Sequence, residues 1–135
     1  MPQRDSYSLR AAFGPIPEES SARITGILVD EDGVALTALD TITATLFDRC
    51  SVRILNARNR QDVLNVNGGT FDPATGRFTL LLSPAANLII NQGRWIEEHM
   101  VRFDFTFTPA GSTQRTGRWA AVLRLSNLEQ LNEGL

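Results

Sequence analysis

At 135 residues with 42% apolar content, the chain has enough material for one domain with its own core, and too little for two. A net charge of −2 excludes general attraction to nucleic acid or acidic lipid. One cysteine, Cys50, excludes an internal disulfide, so packing must hold the domain together, as suits a reducing compartment.

The first residues contain no apolar core of the kind a signal peptide needs, and no window approaches eighteen apolar residues. The expectation is a soluble protein made to stay inside the cell. All thirteen basic residues are arginine. Coding bias explains that; the sharper reading is that arginine is favoured at protein interfaces.

Residues 1–22 show neither helical nor strand periodicity. Pro15 and Pro17 bracket Ile16, and Glu18-Glu19-Ser20-Ser21 follows. The segment reads as an extended N-terminal arm, packed on its own domain or held by a neighbouring subunit. Residues 23–127 then read as the folded domain. Arg23–Asp30 is a predicted strand, Glu31-Asp32-Gly33 a turn, and Val34–Leu36 the return. Thr41–Phe47 alternates, with Ile42, Ala44 and Leu46 on one face and threonines on the other. Ser51–Leu55 reads as a short strand with Val52 and Ile54 on one side. Residues 56–65 form a polar connection that returns Val63 and Leu64 to the core.

Asn67-Gly68-Gly69 and Asp72–Gly76 are turn signals around a short Thr70-Phe71 strand. Arg77–Leu82 follows, with Phe78, Leu80 and Leu82 inward. Ser83-Pro84-Ala85-Ala86-Asn87 has the cap and first-position proline of a single helical turn. The strongest pattern comes last. Val101, Phe103, Phe105 and Phe107 alternate with Arg102, Asp104 and Thr106, and Trp119, Ala121, Leu123 and Leu125 share the face of a second strand. Pro109–Ser112 makes the two runs, 99–107 and 117–125, a hairpin. Residues 128–135 read as a tail or short helix.

Seven or eight short strands with regular turns predict an all-β, antiparallel immunoglobulin-like β-sandwich, with a small barrel as the alternative. No Cys–Trp–Cys triplet marks an antibody-type domain.

Chemistry is sparse. His99 is the single histidine, and Glu97 shares its face by parity, making that pair the one metal or acid–base candidate. The structural reading is a histidine at the rim of the core with hydrogen-bonded ring nitrogens. Asp30-Glu31-Asp32-Gly33 matches the start of a calcium loop, but position 41 is Thr41 where that loop needs glutamate, so a hairpin turn is expected. No nucleophile elbow, phosphate loop or zinc-ligand spacing occurs. Arg49, Arg53, Arg58 and Arg60 cluster without interleaved aromatic residues, which favours a protein contact or a solvated edge over single-stranded nucleic acid. The expectation is a non-enzyme with no catalytic residues, cofactor or metal. Its interface candidates are Tyr7, Phe13, Ile16, Arg53, Arg58, Arg60, Trp95, Arg102 and Asp104.

Two resemblances point further. Arg23–Leu36 is similar to the opening hairpin of many bacterial immunoglobulin-like and carboxypeptidase-regulatory-like repeats, which implies fold alone. Across residues 23 to about 127, the segments Thr43–Asp48, Ile54–Asn65, Asn67-Gly68-Gly69, Gly76–Thr79, Ser83-Pro84 and His99 with the alternating aromatics resemble small immunoglobulin-like virion proteins of tailed bacteriophages. That resemblance implies a structural subunit at the head–tail junction, neck or tail, assembled in the host cytoplasm. Its partners would be other virion proteins and copies of itself, with no membrane, nucleic-acid or small-molecule ligand. The alternatives are a capsid decoration protein or an immunoglobulin-like module that binds a ligand or carbohydrate. The proline-bearing arm and the absence of lysine are departures from the pattern.

Overall fold

A computed structural model describes residues 10–17, 20–87 and 96–126. The protein is all-β, with its strands in two sheets that face each other as a sandwich. The larger sheet has the order β1-β8-β7-β3-β4 and the smaller the order β2-β6-β5. The strands are β1 (Arg10–Pro17), β2 (Ala22–Ile27), β3 (Thr41–Asp48), β4 (Gln61–Asp62), β5 (Gly69–Asp72), β6 (Arg77–Leu82), β7 (Ile96–Phe107) and β8 (Arg115–Ser126). The two sheets are separate, so the barrel alternative is set aside.

The hairpin β7–β8 is the frame, each of its strands being twelve residues long. Along β7 every second residue from Glu97 to Phe107 is buried, as its period-two pattern requires. Register pairs Phe103 with Trp119 and Phe105 with Gly117. The opposite sheet supplies Ile24, Phe71, Phe78, Leu80 and Leu82 to the same core. Phe103 stacks on Trp119, with centroids 5.2 Å apart and planes 16° apart, and meets the edge of Phe78 at 5.3 Å.

Two glycines make room for these rings. A Cβ on Gly26 would lie 2.7 Å from the Trp119 ring, and one on Gly117 would lie 2.3 Å from the Phe105 ring. Their role is close approach of an aromatic ring to the backbone.

Several expectations need correction. Residues 10–17, read as an arm outside the folded domain, belong to the sandwich. They make β1, which pairs in parallel with β8, so the larger sheet is mixed, not wholly antiparallel. A register shift between Phe13 and Ile16 takes up Gly14-Pro15, and an edge strand tolerates proline because its outward N–H has no ladder partner to lose. Residues 1–9 and 127–135, including the expected tail or helix at 128–135, lie outside the described residues.

Ser51–Leu55 is not a strand. Residues 49–51 turn, and the segment pairs with β3 through a single isolated bridge, Phe47 to Ile54. Val52 and Ile54 are accordingly exposed. This connection still covers the β3 edge: Leu55 N–H donates to Leu46 O, Leu46 N–H to Arg58 O and Val63 N–H to Ile42 O. Val52, Asn56, Ala57, Arg60, Asn65 and Asn67 all have positive φ, near 50–60°. A left-handed conformation at so many non-glycine positions has no clear sequence signal.

The Val29–Ala35 bridge around Gly33, the return of Val63 to the core, the Phe71 strand and a 3-10 turn at Pro84–Asn87 follow the sequence pattern.

Phe105 is fully buried, whereas Arg102 is a part-exposed residue on the opposite face of the same strand. Phe105→Ala should therefore cost about 3–5 kcal/mol, and Arg102→Ala under about 1 kcal/mol. Urea melts of the two variants check this; equal losses would mean that both faces of β7 are buried.

Candidate functional site

Three places carry chemistry, and β7 contributes to each. The outward face of the long hairpin alternates charge with apolar groups. Glu98 stands opposite Arg124, and its carboxylate accepts from Arg124 Nε at 3.0 Å and from Arg49 Nη1 at 2.7 Å. Asp104, opposite Arg118, accepts from Arg118 Nε at 2.6 Å and from Arg102 Nε at 3.1 Å. Two arginines to each carboxylate leave each triad with one positive charge in excess. Between the triads a register row of Phe47, Met100 and Val122 crosses the sheet. Val122 is 3% exposed although it points away from the sandwich core. Hydrogen bonding from Arg124, helped by Arg49 and opposed by slight burial, lowers the Glu98 pKa below its ordinary value.

The second place is a groove of about 300 Å³ at one end of the sandwich, lined by Asp30 and by residues 34–38 and 107–110. Its two loops are tied by Arg115 to Glu31 at 3.2 Å and by Asp40, which accepts from Thr108 Oγ1 and Gln114 Nε2. Those bonds, Thr108 first, lower the Asp40 pKa. Asp30, the first residue of the apparent calcium loop, uses Oδ1 to accept the N–H groups of Asp32 and Val34 in its own turn.

The third place is buried. Glu97 and His99 sit on the core face of β7, and β3 pairs Asp48 in register with His99. His99 Nε2 and Glu97 Oε1 are 2.7 Å apart, within hydrogen-bond distance. The donor atoms of Asp48, Glu97 and His99 lie within 4.8 Å of one another. Asp48 is held by Ser51, whose N–H and Oγ donate to Oδ2 at 3.0 and 2.6 Å. Parity joined Glu97 to His99 in the sequence. Asp48 was missed because cross-strand register has no signature in a single sequence. His99 is also fully buried, not at the rim, and its Nδ1 has no hydrogen-bond partner among the described residues.

The expected interface residues are scattered. Arg102 and Asp104 come together in one triad. Arg53 and Arg60 are exposed in the connection beside β3. Arg58 is buried, contrary to its expected place on a surface. Both of its Nη groups donate to Asn67 O at 3.3 Å, and desolvation lowers its pKa. Ile16 is half-buried against the core. Tyr7 and Trp95 lie outside the described residues, as does the Phe13 side chain. Among the described residues no helix is long and apolar enough to cross a membrane. Comparisons with family models, curated proteins and solved structures gave no significant match.

The lowered pKa values of Asp40 and Glu98 fix the direction of acid sensitivity. A carboxylate depressed in the folded state binds protons more readily when unfolded. It stabilises the fold above its unfolded pKa of about 4 and loses that effect as pH falls through the depressed value. Thermal melts from about pH 5 downward should show falling stability. Asp40→Asn should flatten that decline; a decline of unchanged slope would show that the loop-tying bonds contribute nothing.

Proposed function

We propose that this chain is a non-enzymatic structural subunit of a tailed-bacteriophage particle, built on an immunoglobulin-like fold and docking in several copies at the head–tail junction, neck or tail. The observation that carries the reading is the outward face of the β7–β8 hairpin. It presents two over-balanced arginine triads with half-buried Phe47 and Met100 between them. Arginine and apolar groups together are the composition of a protein-binding surface. The excess positive charge suits a partner surface bearing carboxylates. Repetition around a symmetric ring would let individually weak contacts add.

The strand order supports the immunoglobulin-like part of the proposal. On that reading the sheet β2-β6-β5 would correspond to strands B, E and D, and β8-β7-β3 to G, F and C, with β4 beside C. The N-terminal strand runs parallel to G. The chain's single imidazole is buried against Glu97, away from any solvent-borne substrate. That favours docking over catalysis.

The groove between residues 34–38 and 107–110 favours a second reading, an immunoglobulin-like ligand- or carbohydrate-binding module. Against sugar binding, its single aromatic lining residue, Phe107, is 5% exposed.

Mass spectrometry of gradient-purified phage particles from cells expressing the gene tests the proposal. The protein should copurify in several copies per particle. The double variant Arg118→Glu/Arg124→Glu, folded by circular dichroism, should fail to incorporate. Recovery of the wild-type chain only outside particles, together with a specific ligand on a glycan array, would favour the second reading.

A further inference from the structure

We propose that Asp48, Glu97 and His99 form a binding site for a divalent first-row transition-metal ion, with zinc as its representative. The proposal is independent of the docking role.

The three side chains combine two carboxylates and an imidazole, with donor atoms within 4.8 Å of one another. A bound zinc ion places its N and O donors about 2.0–2.2 Å from the metal. Meeting that requirement needs the 2.7 Å Glu97–His99 contact to open and admit the ion. The imidazole decides the class of metal: calcium and magnesium take oxygen ligands, whereas imidazole nitrogen suits zinc, copper, iron and nickel.

Burial and backbone pre-organise the group. Asp48, Glu97 and His99 are 4%, 1% and 0% exposed. They project from adjacent strands in fixed register, with Asp48 opposite His99 and Glu97 two residues along. The two bonds from Ser51 orient the Asp48 carboxylate, an outer contact of the kind that sets ligand geometry in metal sites.

The independent observation is His99 Nδ1. It belongs to a fully buried side chain and has no hydrogen-bond partner among the described residues. Buried polar atoms are nearly always satisfied, and an exception calls for a physical reason, an ion among them. The 2.7 Å contact fixes the ring against Glu97. A neutral ring has one lone pair available to a metal, so metal binding would set its tautomer.

The test uses the full chain, freed of metal with a chelator, and Zn²⁺ alone. Calorimetry should give one ion per chain. At a Zn²⁺ concentration 100-fold above Kd, the melting temperature should rise by about 5–10 °C. Because His99 is the only histidine, its ring ¹⁵N signals are unambiguous, and one of them should shift on titration. Asp48→Asn and His99→Gln should abolish the response, while Cys50→Ser should preserve it. Absence of 1:1 binding, an unshifted His99 ring, or loss of binding in Cys50→Ser would each overturn the proposal. The ring-nitrogen measurement on the wild-type chain decides the matter even where a buried variant does not fold.

Discussion

The fold depends on one contact across the sandwich, where Phe103 of β7 lies between Trp119 of β8 and Phe78 of β6. Neither sheet is stable by itself, because each would leave an apolar face in water. The aromatic contact joins the two sheets at the middle of their longest hairpin. It also dictates smaller features. Trp119 reaches β2 only because Gly26 has no side chain, and Phe105 lies against β8 only because Gly117 has none. With no internal disulfide available from a single cysteine, packing of this kind must offset the chain entropy.

The edges of the larger sheet are handled differently. On one side β1 adds a parallel strand to β8, which places the N-terminal segment beside the C-terminal strand. On the other, an irregular connection lends β3 its backbone partners through Leu55, Arg58 and Val63. Arg58 secures that connection from within by bonding to Asn67 O. Covering these edges limits unwanted strand addition. On the hairpin's outward face the charges are ordered by cross-strand pairing, Glu98 with Arg124 and Asp104 with Arg118. Exposed ion pairs of this sort contribute little stability.

Much of the sandwich can be read from alternation alone. Phe103, Phe105, Phe107 and Trp119 fall on the core face because strand periodicity leaves no other choice. The same parity argument found Glu97 beside His99. It failed at β1, where Gly14, Pro15 and Pro17 disguise a strand that tertiary pairing stabilises. It also failed at Val52 and Ile54, whose alternation imitates a strand while the backbone turns. The burial of Arg58 and the arrival of Asp48 at His99 depend on which strands neighbour one another. That information lies in contacts distant in sequence, and local composition does not encode it.

The most direct measurement of the central contact is a double-mutant cycle on Phe78 and Phe103, using Phe78→Leu, Phe103→Leu and the double variant in urea melts. If the edge-to-face pair couples the two sheets, the sum of the two single losses should exceed the double loss by about 0.5–1.5 kcal/mol. Additive losses would contradict this account, because each ring would then pack independently within its own sheet.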